Sequence, residues 1–255
     1  MKLTVVGSAD AFNSSGRAHS CYLLRSDNAG TLMVDFGATA LMRLNQLGVS
    51  PTELDGLVFT HMHGDHIGGF PFLLIDALYN HPRRRALPVL GPPLTAASLT
   101  RLIDACYPGH HSHLPDVPVE ISEFGPGETR SFLGYRIEAF AAAHMEAPHR
   151  ALCLRITDAA GTSIAFSGDT RPCAGLREAA SGSALLVAEC TRLAPPVGDH
   201  TTWQDWQREL QTIGARSVLL THLGEDVRGA LPSLQTAAAS GVPFRFAEDG
   251  LELEV

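Results

Sequence analysis

Thr60-His61-Met62-His63-Gly64-Asp65-His66-Ile67-Gly68-Gly69 is the stretch around which the remaining 245 residues take their meaning. Three imidazoles and one carboxylate stand within six residues, directly after the apolar run Leu57-Val58-Phe59. Neutral imidazole nitrogen and carboxylate oxygen suit zinc and similar divalent ions. On an extended strand alternate side chains share a face, so His61, His63 and Asp65 converge if the strand end runs on into a loop. His66 then begins to point elsewhere, as a ligand for a second ion must. Gly64 lets the chain turn tightly, and Gly68 and Gly69 leave little bulk beside the site. A single histidine here would read as a surface residue. Three with an aspartate, between a predicted strand and a glycine turn, read as a metal site.

Composition narrows the setting. A chain of 255 residues that is 45% hydrophobic, with mean hydropathy +0.05, can bury a sizeable core. A formal charge of −8 gives no general attraction to nucleic acid or anionic membrane, although two divalent ions would bring it to −4 and leave a site locally positive. Cys21, Cys106, Cys153, Cys173 and Cys190 are odd in number and widely spaced, with no C-x-x-C pair. A thiolate zinc site is therefore not expected. No stretch reaches about 18 apolar residues, so no membrane-spanning helix is expected either. The N-terminus lacks an apolar leader, and the expected setting is cytoplasmic with reduced thiols.

Upstream of the motif, residues 3–7, 21–25 and 31–35 read as strands, the last two a hairpin around Asp27-Asn28-Ala29-Gly30. Residues 39–47 have helical spacing with Gly48 as the stop, and Ser50-Pro51-Thr52-Glu53 reads as a capped turn before the strand 56–60. Downstream, residues 70–79 and 94–106 fit helices, with a strand at 88–91 between them. Arg83-Arg84-Arg85 is the only dense basic run, a solvated face or a contact for an anionic substrate. Pro108-Gly109-His110-His111-Ser112-His113-Leu114-Pro115 reads as a surface loop at the pocket wall, not a second ligand cluster, since no carboxylate lies among its histidines. Strand-like segments follow at 119–124, 134–141, 151–157, 162–167, 184–189, 217–221, 244–248 and 251–254. Helices are expected at 202–213 and 232–240. His144, Asp169, Glu189 and His222 each follow or end an apolar strand. There a side chain faces a cleft from a backbone fixed by the sheet. No sequence repeat of 20–50 residues and no linker divides the chain, so one domain over residues 1–255 is expected.

The motif His-x-His-x-Asp-His, joined by His144, Asp169 and His222 in that order and context, resembles the metallo-β-lactamase superfamily over nearly the whole chain. The resemblance implies an α/β fold: a four-layer αββα sandwich of two similar halves, with two divalent ions at one edge of the sheets. It assigns His61, His63 and His144 to the first ion, Asp65, His66 and His222 to the second, and Asp169 to a bridge between them. Zinc is the expected metal, manganese and iron being the alternatives. A water held between two such ions loses its proton near neutral pH and becomes a nucleophile. Ligand histidines need acceptors behind them; Asp35 and Glu189 are candidates, a buried structural role being equally open for Asp35.

The superfamily cleaves many ester and amide bonds, so membership does not fix the substrate. Ala188-Glu189-Cys190-Thr191 followed by Asp199-His200-Thr201-Thr202 is similar to the Glu and His motifs of the tRNase Z-like branch. By that likeness His200 protonates the leaving oxygen or stabilises phosphoryl charge, with Glu189 orienting it, and Asp65 completes the catalytic set; a plain loop role for His200 stays open. The N-terminal loop lacks that branch's basic form, and the chain shows no Lys-rich arm for gripping tRNA. A small phosphodiester, such as a cyclic nucleotide, is therefore preferred. The alternatives are tRNA 3′-end processing and hydrolysis of a carboxylic ester, thioester or lactone. Nucleic acid is an unfavoured partner at −8, a membrane is not expected, and homodimerisation is implied by the resemblance alone.

Overall fold

Strand periodicity governs the fold from its first residues. In the opening strand Leu3 and Val5 face one apolar cluster and Val6 the other, the period-2 alternation of a sheet buried on both faces. The computed structural model describes residues 1–110, 112, 116–196, 198–236 and 241–255. In chain order these hold β1 (Lys2–Gly7), β2 (Cys21–Arg25), β3 (Leu32–Val34), α1 (Ala40–Gln46), β4 (Gly56–Val58), α2 (Gly64–Ile67), α3 (Phe70–Ile75), β5 (Leu87–Gly91), α4 (Thr95–Cys106) and β6 (Val119–Glu123). Then come β7 (Thr129–Phe132), β8 (Tyr135–Ala141), β9 (Leu152–Thr157), β10 (Ser163–Phe166), α5 (Ala174–Ala180), β11 (Leu185–Glu189), α6 (Trp203–Glu209), β12 (Val218–Thr221), α7 (Glu225–Thr236), β13 (Phe244–Phe246) and β14 (Glu252–Glu254).

Two seven-stranded sheets result, ordered β14-β1-β2-β3-β4-β5-β6 and β13-β12-β11-β10-β9-β8-β7. Each runs through three antiparallel pairings and then three parallel ones: β14 to β3 and then β3 to β6 in the first, β7 to β10 and then β10 to β13 in the second. The two halves are thus similar in topology although no repeat shows in the sequence. Leu24, Val34, Val58, Ile137, Leu154, Ile156 and Val187 fill the space between the sheets. Outside the first sheet Met33, Leu57 and Val89 meet Leu44, Phe70 and Leu99 of α1, α3 and α4. Outside the second, Ala165, Leu186 and Leu220 meet Leu176, Trp206 and Val227 of α5, α6 and α7. The layers are α, β, β, α, as expected.

Three elements differ from the sequence reading. Strand β7 alternates exposed and half-buried positions at a sheet edge, so it carries no apolar pattern to find. Helix α5 is only seven residues long and is capped by Cys173, whose sulfur accepts from Leu176 N at 3.4 Å; cysteine is not among the usual cap residues. Helix α7 begins at Glu225, seven residues before the expected start, and Pro232 lies inside it rather than opening it. Residues 237–240 of the expected helix fall outside the described residues.

The basic run is largely structural. Arg83 is buried and donates to the carbonyls of Arg85 and Ala86, while Arg85 pairs with Asp55 and donates to the carbonyls of Thr52 and Leu54. Arg84 and Arg85 are exposed, as the solvated reading expects, Arg85 while paired to Asp55. His110 meets the rings of Tyr79 and Tyr107; His111 and His113 fall outside the described residues. No helix of the described residues is long and apolar enough to cross a membrane.

Candidate metal centre

The histidine motif leaves the sheet at Val58 and does not stay extended. Phe59 to His63 form a loop, and Gly64–Ile67 coil into one helical turn. That turn puts Asp65 beside His66 rather than on the face of His61 and His63, so strand alternation describes the first two ligand candidates but not the third. Gly68 and Gly69 sit where a Cβ would lie 2.4 Å from the carbonyl oxygens of Gly64 and Gly37. Their lack of bulk serves backbone packing beneath the centre. Gly64 stands in open space.

Both halves deliver side chains to this point. His61, His63, His144 and Asp169 form one group of potential ligands, and Asp65, His66, Asp169 and His222 another, the donor atoms in each lying within 4.8 Å of one another. In the first group His63 Nδ1 is 3.1 Å from His61 Nε2 and 3.0 Å from His144 Nε2, and Asp169 Oδ2 is 3.8 Å from both Nε2 atoms. In the second, Asp65 Oδ2 lies 3.3 Å from His66 Nε2 and 3.4 Å from His222 Nε2, while Asp169 approaches the same nitrogens at 3.3 and 3.5 Å. Asp169 belongs to both groups. All seven residues named from the sequence are brought together. Cys190 lies instead in the core beneath α6.

Behind the donors, hydrogen bonds set the ring orientations. His66 Nδ1–H donates to Asp35 Oδ2 at 2.8 Å, which also accepts from Thr60 Oγ1 at 2.8 Å. With its proton committed there, Thr60 Oγ1 accepts from His61 Nδ1–H at 3.1 Å. His222 Nδ1–H donates to Thr191 Oγ1 at 2.9 Å, which donates to Glu189 Oε2 at 2.6 Å. His144 Nδ1–H donates to the Asp199 carbonyl at 2.9 Å. Four imidazoles thus hold their protons on Nδ1 and present Nε2 lone pairs to one region. His66 Nε2 is buried there with no hydrogen-bond partner. A buried nitrogen lone pair without a donor is costly, and a divalent cation is the partner that this set of nitrogens and carboxylates fits.

Electrostatics agree with that fit. Burial opposes charge on His66, yet the Asp169, Asp35 and Asp65 carboxylates hold its pKa well above the usual histidine range. Burial likewise opposes charge on His222, but Asp169, then Asp65 and Glu189, raise it to about 9. Burial and the neighbouring His66 push His61 well below its ordinary value, so it stays neutral. Burial would raise the Asp65 and Asp169 carboxyls, but the surrounding imidazoles hold both far below the usual range. Such a field favours positive charge at the centre.

His200 stands at the edge of this group, 22% exposed. Its Nδ1 lies 3.1 Å from both oxygens of Glu189, its ring stacks on His222 at 5.6 Å, and it meets His144 edge-on at 4.8 Å. Burial opposes a charge on it, but the Glu189 hydrogen bond raises its pKa. Glu189 is itself fixed by the backbone N–H groups of Thr170 and Thr201. Thr60 and Thr191 are site residues that the sequence reading missed; each hydroxyl joins a partner close to it in sequence, His61 or Glu189, to one 25 or 31 residues away, Asp35 or His222.

Comparison with known proteins agrees with this architecture. Residues 1–237 match the family described as anti-Pycsar protein Apyc1. Ribonuclease Z of Mycobacterium avium (strain 104) is 30% identical over 201 residues, covering 73% of this chain and 69% of that one. Among solved structures, the metallo-β-lactamase fold protein YhfI from Bacillus subtilis superposes with a TM-score of 0.78 at 23% identity, over 99% of both chains. A diphosphatase of the PhnP family superposes with a TM-score of 0.75 at 19% identity, over 100% of this chain and 97% of that one. The sandwich, the position of the histidine cluster and these matches lead to one placement: the chain belongs to the family of the anti-Pycsar protein Apyc1, within the metallo-β-lactamase superfamily and its tRNase Z-like branch.

Proposed function

We propose that residues 1–255 form one hydrolase domain that uses two divalent metal ions, zinc for preference, to cleave a small phosphodiester. The observation that carries this reading is His200, held by Glu189 and touching ligand candidates of both groups, where a leaving oxygen needs a proton. His61, His63 and His144 would hold one ion, Asp65, His66 and His222 the other, with Asp169 between them. Such a pair of ions lowers the pKa of water and withdraws charge from a phosphoryl oxygen. The chain's own residues supply the rest. Glu189 accepts from His200 Nδ1–H and favours the imidazolium, so the opposite nitrogen also carries a proton to give to the departing alkoxide. Thr191 ties that carboxylate to His222, so the acid and a ligand share one support.

A second reading, tRNA 3′-end processing, has the Mycobacterium avium relative named ribonuclease Z in its favour. The charge of −8 weighs against it, since gripping tRNA calls for a basic surface. Purified protein assayed in parallel on a bis-aryl phosphate, a cyclic nucleotide, an aryl ester, a lactone and a precursor tRNA separates these, with metal content read by plasma mass spectrometry. Turnover of the phosphodiesters with two ions per chain is expected. Cleavage of the ester or lactone alone, or of the tRNA alone, would replace the proposal.

A further inference from the structure

Behind the segment that carries Asp169 two thiols face each other, one from β9 and one from the turn into α5. Cys153 is fully buried, and half-buried Cys173 packs against the apolar cluster that holds it. Strand pairing sets Cys153 opposite Phe140 on β8, and Cys173 Sγ lies 3.6 Å from the carbonyl of the next residue, Ala141. Gly175 keeps the start of α5 close to the same carbonyl, where a Cβ would come within 2.0 Å. The Cys153 proton has two acceptors, the Ser167 carbonyl at 3.1 Å and the Cys173 sulfur. Cys173 Sγ in turn accepts from Leu176 N at 3.4 Å and lies 3.5 Å from Thr170 Oγ1.

The pair is chemically unequal. Hydrogen bonding from Cys153 lowers the Cys173 pKa to about 5, aided by the Thr170 hydroxyl and the N–H groups of Leu176 and Ala143 and opposed by partial burial. The same contact, with complete burial, pushes Cys153 well above the ordinary thiol range. A half-exposed thiolate is the nucleophile of thiol chemistry, and a second thiol beside it resolves the product. Cys21 and Cys190 are buried and pushed up by that burial, and Cys106 is exposed at the end of α4. Both thiols of the pair also reach the segment that bears Asp169. Ser167, which accepts from Cys153, and Thr170, which lies beside Cys173, flank Gly168 and Asp169. Thr170 Oγ1 accepts as well from Ala143 N at 2.9 Å, next to His144.

We propose that Cys153 and Cys173 are a peroxide-reactive dithiol whose closure to a disulfide disturbs the Asp169 side of the centre. The Cys173 thiolate attacks hydrogen peroxide: an S–O bond forms, the O–O bond breaks, and the hydroxide that leaves takes up a proton as water. Cys153 then gives up its proton and attacks that sulfur; the S–S bond forms, the S–O bond breaks and water departs. The two thiols are oxidised and the peroxide is reduced to water. The Ser167 carbonyl thereby loses its thiol donor. The disulfide stands apart from the proposed hydrolysis; only its effect on zinc rests on Asp169 being a ligand.

The test treats zinc-loaded protein with hydrogen peroxide and maps its cysteines by peptide mass spectrometry. A link between Cys153 and Cys173 that dithiothreitol opens is expected. In competition with a chromophoric chelator the linked form should hold zinc roughly 10- to 100-fold more weakly, the range for loss of outer support. In Cys153→Ala, Cys173 should stop as a sulfenic acid captured by dimedone; in Cys173→Ser, peroxide should leave zinc affinity unchanged. Should either variant fail to fold, the wild-type map decides alone. Cys153 and Cys173 left unlinked while Cys106 is oxidised would overturn the dithiol, and a link that leaves zinc affinity unchanged would overturn its coupling to the centre. A link formed in a protein that binds no zinc would sink the metal reading and leave the dithiol standing.

Discussion

The two halves of the sandwich support the centre with the same device and put it to different ends. In the first half a carboxylate, Asp35, accepts from a threonine, Thr60, which accepts from His61, and the same carboxylate takes His66 directly. In the second half Glu189 accepts from Thr191, which accepts from His222, and the same carboxylate takes His200 directly. Carboxylate, threonine and histidine recur at matching edges of two sheets with matching topology. The fourth member differs. His66 is buried, with its free nitrogen aimed among the donors, whereas His200 is 22% exposed and stands beside them. One architecture thus puts one histidine where water is shut out, as the proposed ligand requires, and the other where a substrate can enter, as the proposed acid requires.

The first half commits four side chains in six residues, and the comparison breaks most completely there. Asp65→Ala removes the only carboxylate that the first half contributes, among the described residues, to the proposed ligand set, since Asp35 stays behind the rings. Turnover of a bis-aryl phosphate is expected to fall to background and the bound metal from two ions to one, measured by plasma mass spectrometry, with the circular dichroism spectrum unchanged. Two ions retained at full activity would mean that the second group is no ligand set.

In the second half His200→Ala sharpens the difference between ligand and acid. Metal content should stay at the wild-type value while phosphodiester cleavage slows roughly 10²–10⁴-fold, the range for loss of a general acid. The loss should shrink for an ester with a good leaving group such as p-nitrophenolate, which needs no proton. A drop in metal content would make His200 a ligand and erase the contrast with His66.

What the sequence carried of all this follows from how each residue is specified. The first motif is legible because its ligands are local, and His144, Asp169 and His222 because apolar strands precede them. Thr60 and Thr191 were passed over: each stands within two residues of a named site residue, but its hydroxyl becomes a relay only through a second partner at the end of another strand, Asp35 or His222. Asp35 and His222 sit at φ 58° and 53°, left-handed positions usually filled by glycine; the residues were named from the sequence, but nothing local foretells that backbone conformation. The polar edge strand β7 and the seven-residue helix α5 escaped for the complementary reason, since neither buries a long periodic face.

The smallest effect comes from the threonines, and it tests whether the two relays are equivalent. Thr60→Val keeps the shape but removes the acceptor for His61 and one donor to Asp35, while His66 stays bonded to that carboxylate. Loss of such outer support costs roughly 10- to 100-fold in metal affinity, here expected in the first group with kcat at saturating zinc little changed. Thr191→Val removes the same support from His222 but also unties Glu189, which holds the acid. Zinc affinity should fall to a similar degree, and saturating zinc should not restore kcat fully, because Glu189, still anchored by Thr170 N and Thr201 N, loses the hydroxyl donor at Oε2, an oxygen that faces His200. Zinc titrations of both variants, each followed to saturation, measure the two quantities separately. Equal recovery of kcat in both would show that the relays differ only in place, and that the Thr191 hydroxyl has no hand in proton transfer.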